Sequence, residues 1–405
     1  MVIYNQPFSG ALGDQIKMSL TNQYDDFYIF SAFAKNSGVL RLKTELLDFK
    51  SRGGRIHAYI GVDLKGTSYE ALINLLSICD DLFIVHSSNS LTTFHSKIYL
   101  LTNAQTAWTA IGSNNLTGGG LWTNFETCTI SNLQLPCPEV QTILDLAAQY
   151  EDPNYPCSIR LTSISDIDSL RNLGYLITEA SHRSSIIQAR ANTRNAPQPT
   201  NLFGRQRITL PTINNGGTAT NTAVPNPAPT TQVPQAITPI STLSLWAETR
   251  RSITGGSHNQ IDLSKRGKIC GGNVTNTILN NADPTMMLGG VKFFDIDPDN
   301  TSIVKNITIN YLGKDYYPAE ISYFPGNSNW RLLLKGVATD SSGDKLSLHG
   351  KNGEFSNSIL LFDKIRSDYY CLSVVPHTDI TSLQSISIVW GKNGTTPSGR
   401  AYGIY

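Results

Sequence analysis

Residues 94–101 read FHSKIYLL, and residues 110–121 read AIGSNNLTGGGL. The first run alternates like a strand, which predicts His95, Lys97 and Tyr99 on one face and Phe94, Ile98 and Leu100 on the core face. The second run ends the strand TAWTAIG in the turn Gly112-Ser113-Asn114-Asn115, where glycine permits a tight turn and close backbone approach. Asn115 can then lie beside His95 and Lys97 across adjacent strand ends, with Glu126 on the following strand, NFETCTI. An imidazole can attack phosphorus or protonate a leaving oxygen. An ammonium and an amide NH₂ can hold non-bridging oxygens as negative charge moves onto them. A carboxylate can hold the other imidazole nitrogen and fix its tautomer. His95, Lys97, Ser113, Asn115 and Glu126 are therefore the candidate catalytic set for phosphodiester cleavage without a metal. The first half has no cluster of Asp and Glu of the kind metal nucleases use. H-x-K alone is common, GSNN alone is an ordinary turn, and Tyr99 reads as a packing residue. The signal is the order: strand, H-x-K, strand, G-S-x-N, strand, Glu.

The surrounding elements must bring those strand ends together. A helix is expected around 9–21, then the strand FYIFSAFA and a helix with Val39, Leu40, Leu46, Leu47 and Phe49 at helical spacing, stopped by Arg52-Gly53-Gly54. The strand RIHAYIGV, the helix SYEALINLL and the strand DLFIVH follow. This βαβαβ order predicts a mostly parallel sheet flanked by helices over residues 1–190. Further strands are expected at 94–101, 106–112 and 124–130, and a closing helix opens at Pro138. Residues 191–240 hold 8 of the 19 prolines and no acid, a composition that cannot bury enough apolar surface to fold alone, so they read as a linker. Within it the run LFGRQRITLPTI is apolar enough to dock on a neighbour. Residues 241–405 contain short β-rich runs, GGVKFFDI, IVKNITINYL, AEISYFP, NWRLLLKGV, SILLFDKI, YYCLSVV and SISIVWG, separated by turn signals. They predict an all-β domain, a barrel or pseudobarrel, with Trp330 and Leu332 to Leu334 in its core.

Composition narrows the function classes. The 405 residues are 40% hydrophobic and 16% charged, as in an ordinary globular protein of two or three domains. No run reaches the roughly 18 apolar residues needed to span a bilayer, and the start has neither a basic region nor an apolar stretch of a signal peptide. Six cysteines without a CxxC pair argue against a zinc knuckle or a disulfide scaffold and fit a reducing compartment, so a cytoplasmic location is expected. Net charge is −4 over 1–190, +3 over 191–240 and +2 over 241–405. No domain is basic as a whole, so a nucleic-acid surface must be a local patch. His57 and His86 lack a lysine two residues on and read as ordinary strand-end residues.

H-x-K followed by G-S-x-N resembles the phospholipase D superfamily, and FHSKIYLL…WTAIGSNNLTGGGLWTNFET resembles its nuclease branch, where a glutamate follows the asparagine. Many members carry an aspartate five residues after the lysine; this chain has Thr102, and Glu126 is the candidate replacement for orienting His95. The resemblance implies an α/β phospholipase D-like nuclease domain. The family reaction uses two such motifs around one phosphate, and one is present here, so a homodimer through this domain is expected, with two copies of the set about a two-fold axis. One His95 would form a phosphohistidine while the other protonates the leaving 3′-oxygen and then activates water, the two titrating as a coupled pair.

FPGNSNWRLLLKG and ILLFDKIRSDYYCLSVV resemble the C-terminal recognition domain of restriction endonucleases of the NgoFVII and BfiI kind, which is similar to the B-three-type pseudobarrel of plant transcription factors. In such pseudobarrels two arms grip the major groove of double-stranded DNA. The candidate arms supply Ser257, His258, Asn259, Gln260, Lys265 and Arg266 from one run and His349, Lys351, Asn352 and Asn357 from another. Asn and Gln can bond adenine edges and Arg or Lys guanine, while other basic groups hold phosphates, with Arg250 and Arg251 either on phosphate or facing water. The expected activity is a type II-like restriction endonuclease, with no cofactor. No G-x-x-x-x-G-K-S/T is present, so ATP use would belong to a partner, such as the helicase-like chain that accompanies related systems. The alternatives are a phospholipase D-type lipid phosphodiesterase, which no basic amphipathic helix or export signal favours, and a catalytically inactive DNA-binding protein, which the intact set argues against.

Overall fold

The computed structural model describes residues 1–89, 91–194, 244–249, 258–275, 277–393 and 399–405. Residues 191–194 finish a helix, so the expected linker does not begin at 191; its remainder, with LFGRQRITLPTI, and Arg250, Arg251 and Ser257 lie outside the described residues. The chain forms two compact units, one drawn chiefly from the first 185 residues and one chiefly from the C-terminal half.

The first unit runs β1 (Val2–Gln6), α1 (Leu12–Leu20), β2 (Asp26–Ser31), α2 (Asn36–Ser51), β3 (Arg55–Gly61), α3 (Tyr69–Ile78), β4 (Asp81–Val85), β5 (Lys97–Thr102), β6 (Thr106–Gly112), β7 (Glu126–Gln134), α4 (Pro138–Glu151), β8 (Ser158–Arg160) and α5 (Ile164–Asn172), and it holds the start of α6 (Glu179–Arg194) through Ser185. The eight strands are ordered β1-β7-β6-β5-β2-β3-β4-β8. Only β2–β3 and β3–β4 pair parallel; the remaining neighbours are antiparallel, so the sheet is mixed rather than mostly parallel. The reason is connection length. Helical crossovers α2 and α3 return the chain in the same direction, whereas three residues join β5 to β6 and permit only a hairpin. That turn is fixed by Asn103, whose Oδ1 accepts from the Gln105 and Thr106 N–H groups at 2.9 and 2.8 Å.

Both faces of the sheet are covered. Phe27, Ile29, Tyr99, Leu101 and Trp108 pack with Leu12, Val39, Leu46 and Leu72 of the helices on one side. Phe30, Tyr59, Leu100 and Ala107 pack with Val140, Ile143 and Ala147 of α4 on the other. The alternation in FHSKIYLL is therefore present, but the Lys97/Tyr99 face is a second core rather than an open surface. β5 begins at Lys97, so His95 precedes the strand instead of lying on it.

The second unit runs β9 (Ser244–Glu248), β10 (Gln260–Asp262), β11 (Arg266–Gly272), β12 (Met286–Leu288), β13 (Lys305–Tyr311), β14 (Lys314–Phe324), β15 (Asn329–Leu333), β16 (Val337–Ala338), α7 (Leu346–Lys351), β17 (Ser358–Arg366), β18 (Tyr369–Pro376), α8 (Ile380–Ile386), β19 (Val389–Asn393) and β20 (Ala401–Ile404). Its strands join one sheet in the order β10-β15-β14-β13-β18-β17-β9-β20-β19-β11-β12, with β16 on β14. β13 and β18 pair parallel, while β14–β15, β17–β18 and β19–β20 are antiparallel. Trp330, Leu332 and Leu334 are fully buried, and the Trp330 indole donates to the Pro298 carbonyl at 2.9 Å.

Two strand expectations fail here. GGVKFFDI forms a 3₁₀ turn over Gly290–Phe294 that inserts Val291, Phe293 and Phe294 into the core, where an unbroken apolar run is as useful as in a strand. SISIVWG is divided, its first residues ending α8 and its last forming β19. Among the described residues no helix is long and apolar enough to cross a membrane.

Candidate active site

Strand register brings the motif residues to one end of the first sheet. Ser31, the last residue of β2, stands opposite Lys97, the first of β5. Ile98 faces Ile111, so Lys97 lies beside the end of β6; Gly112 in turn faces Cys128 near the start of β7. The carboxyl ends of β2 and β6 thus meet the amino ends of β5 and β7. Gly112 is required by close approach: a Cβ there would fall 2.3 Å from the Thr127 carbonyl oxygen.

His95 is exposed, and Lys97 sits beneath it, only 6% exposed. Lys97 Nζ lies 2.7 Å from His95 Nδ1 and donates to the His95 carbonyl at 2.8 Å. Burial pushes the Lys97 ammonium below its usual value, and the charge of Glu126 pulls the other way. When Lys97 donates to Nδ1, the proton of a neutral His95 resides on Nε2, pointing the imidazole's acid side away from the lysine. The Phe33 ring stands edge-on to His95 at 6.3 Å, and the Phe33 N–H donates to Asn115 Oδ1 at 3.2 Å. That bond leaves the Asn115 amide NH₂ as its donor toward substrate. Ser113 Oγ donates to Glu126 Oε2, and Asn124 donates to Glu126 Oε1 at 3.1 Å.

The expectation that Glu126 orients His95 therefore does not hold within one chain. The turn captures that carboxylate, and Lys97 occupies the Nδ1 position. Thr102 is at the far end of β5, bonded to the Asn103 and Thr106 carbonyls, so no side chain there reaches His95. Tyr99 is a packing residue whose hydroxyl donates to the Asn114 carbonyl at 3.0 Å.

Supporting residues carry no motif. Asp63 accepts from the Phe94 N–H at 2.9 Å and pairs with His86 Nδ1 at 2.7 Å, fixing the backbone just before His95. Ser31 Oγ accepts from the Leu116 N–H at 2.8 Å and donates to the Phe33 carbonyl at 2.8 Å, joining β2 to the G-S-N-N turn. Buried Gln6 donates to the Asn124 carbonyl at 3.0 Å and the Gly120 carbonyl at 3.3 Å, and accepts from the Leu12 N–H at 3.1 Å. A polar residue at the last position of a strand, as Ser31 and Gln6 are, is the faint sequence signal that marks them. His57 bridges Asp81 and Asp26 away from this set. Among the described residues no group of three His, Cys, Asp or Glu side chains is arranged to hold a metal ion.

The candidate base-reading residues of the second unit are placed differently from one another. Asn259 is buried and donates to the Ser347 carbonyl at 3.1 Å, so it faces inward and not toward a groove. His349 is held by Glu354 at 2.9 Å and the Tyr316 hydroxyl at 3.2 Å, again an internal position. Gln260 accepts from Arg331 at 3.2 Å, and His258 lines a cavity beside it. Lys265 lies 4.8 Å over the Tyr323 ring. Arg266, Lys351, Asn352 and Asn357 are exposed, with Arg266 3.4 Å from Asp299.

No family model matches the chain, and no curated protein matches it. Among solved structures the chain is similar to a phospholipase D family member, Nuc, from Salmonella typhimurium, at 15% identity and a TM-score of 0.30, over 40% of this chain and 97% of that one. It is similar to NucT from Helicobacter pylori at 11% identity and a TM-score of 0.28, over 37% of this chain and 92% of the other. It is similar to yeast tyrosyl-DNA phosphodiesterase at 14% identity and a TM-score of 0.25, over 43% of this chain and 40% of that enzyme.

Proposed function

We propose that the protein is a sequence-specific restriction endonuclease that hydrolyses DNA phosphodiester bonds through a phosphohistidine, without a metal, at a site shared by two copies of the first unit. The observation that carries the reading is the exposed His95 seated on the buried Lys97 at 2.7 Å, with Asn115 tied in through Phe33. Lys97 and the Asn115 amide supply donors for non-bridging oxygens. In one copy His95 Nε2 attacks phosphorus and the bond to the 3′-oxygen breaks. The His95 Nε2–H of the other copy gives its proton to that oxygen, then takes one from water as the water displaces the phosphohistidine. The acid must be an imidazolium, protonated on both nitrogens, and the attacking imidazole must be neutral with its Nε2 lone pair free, so the two copies act in different protonation states.

The second unit is proposed to hold double-stranded DNA through its exposed basic and amide side chains, with Arg266, Lys351 and Asn352 foremost. Its candidate pseudobarrel character and any ATP-consuming helicase-like partner belong to the same proposal. Digestion of a defined plasmid in EDTA is the test. Cleavage at fixed positions with 5′-phosphate ends is expected. Loss of cleavage on chelation with recovery in magnesium refutes the metal-free mechanism. Turnover of phosphatidylcholine with intact plasmid refutes the nuclease reading.

A further inference from the structure

Phe8 and Phe125 are 78% and 65% exposed, and their rings lie 6.0 Å apart at 37°. The two phenyl rings side by side present a small apolar patch with aromatic faces open to a partner. They border a cleft of about 540 Å³ that also holds Asn5, Ser9, Glu126 and Thr127. Glu126, which receives Ser113 Oγ, is thus shared between the cleft and the G-S-N-N turn that carries Asn115. Its walls are held in place: Gln6 is 1% exposed and bonds both the Asn124 carbonyl and the Leu12 N–H, while Thr127 Oγ1 donates to Asn5 Oδ1 at 2.9 Å.

We infer that this cleft takes one unpaired nucleobase of a DNA strand, stacked on Phe8 and Phe125, next to the phosphate handled by His95. The inference rests on the nuclease reading and deepens it by specifying an unstacked base beside the scissile bond. The chemistry of the lining selects the occupant. Aromatic faces stack on any base, since every base presents a π-face. The Glu126 carboxylate in the cleft repels a phosphate and accepts from an exocyclic amine. Asn5 and Thr127 add side-chain groups able to bond base edges. A cleft of this size lies within the range of small-molecule sites. A single strand, a flap or a mismatch presents such a base without the cost of opening a duplex.

The test uses the full chain and a fluorescently labelled single-stranded oligonucleotide, compared with the same strand carrying abasic residues at alternate positions. The Phe8→Ala/Phe125→Ala double variant is expected to raise KM about tenfold on the base-bearing strand, with a smaller change in kcat. It is expected to match wild type on the abasic strand, and Phe125→Trp is expected to retain the wild-type KM. Equal KM for the double variant and wild type on the base-bearing strand overturns the subsite while leaving the nuclease reading intact. A double variant that sediments as a monomer where wild type is a dimer overturns it too, because the rings then belong to a contact between copies. A wild-type protein that cuts duplex plasmid but not the single strand overturns the subsite alone; one that cuts no DNA, single-stranded or duplex, overturns the nuclease reading and the subsite with it.

Discussion

His95 stands just before a strand and His349 on helix α7, and both are bonded at Nδ1, yet their surroundings differ in kind. His95 is exposed, its Nδ1 meets the buried Lys97, and its Nε2 has no partner among the described residues. His349 spends Nδ1 on Glu354 and Nε2 on the Tyr316 hydroxyl. The first imidazole has a reactive nitrogen to offer; the second is a buckle between α7, the following turn and β14. The same contrast separates Asn115, whose amide NH₂ is left to donate, from Asn259, whose Nδ2 is spent on the Ser347 carbonyl. Polar residue type is therefore a poor guide to function by itself. What distinguishes the first unit is that four strand ends and a buried lysine hold one polar set at the surface.

The largest expected effect is at His95. His95→Ala should lower plasmid cleavage in EDTA by at least about 10³-fold while retaining DNA affinity. Unchanged cleavage would erase the distinction drawn between the two imidazoles. Asn115→Ala should lower kcat by about 10²-fold with little change in affinity, as expected when a donor to a developing negative charge is removed.

Glu70 gives a pH-dependent difference internal to the first unit. Burial, reinforced by the charge of Glu179, pushes its carboxyl up to about 7 from an ordinary 4.5. A raised carboxyl favours folding fully below the unfolded value, and that contribution is lost as pH rises from about 4.5 through 7. Glu70→Gln should flatten this slope and leave the protein roughly 2–3 kcal/mol more stable than wild type at pH 8, as read by urea denaturation at several pH values.

His349→Ala should cost about 1–2 kcal/mol of stability through its lost hydrogen bonds and leave the cleavage rate of the folded protein near wild type. A large loss of DNA affinity instead would return His349 to the recognition surface. The smallest effect is expected at exposed Arg266. Arg266→Ala should weaken DNA binding a few-fold and reduce the slope of log affinity against log salt by about one. An unchanged salt slope would remove Arg266 from the phosphate-binding surface.

Much of the first unit was legible because its signals are local. Alternation marked β5 and β6, helical spacing marked α2 and α3, Arg52-Gly53-Gly54 ended α2 at a left-handed glycine, and Pro138 opened α4. The βαβαβ start does not set the direction of the strands after β4, and the three residues between β5 and β6 allow only antiparallel pairing. In the second unit the apolar run at Gly290–Phe294 reads as a strand yet folds as a 3₁₀ turn, since periodicity cannot separate a buried turn from a buried strand.

The order H-x-K, G-S-x-N, Glu is a property of the sequence, because residue type and spacing decide what chemistry is available and which strand end will carry it. Which of those groups touch was decided by tertiary structure. Register sets Gly112 against Cys128, the turn gives Glu126 to Ser113 instead of His95, and Asp63, Ser31 and Gln6 lock loops distant in sequence. The physical reason is that a hydrogen bond depends on sub-ångström placement and direction, and those are fixed only once both faces of the sheet have packed.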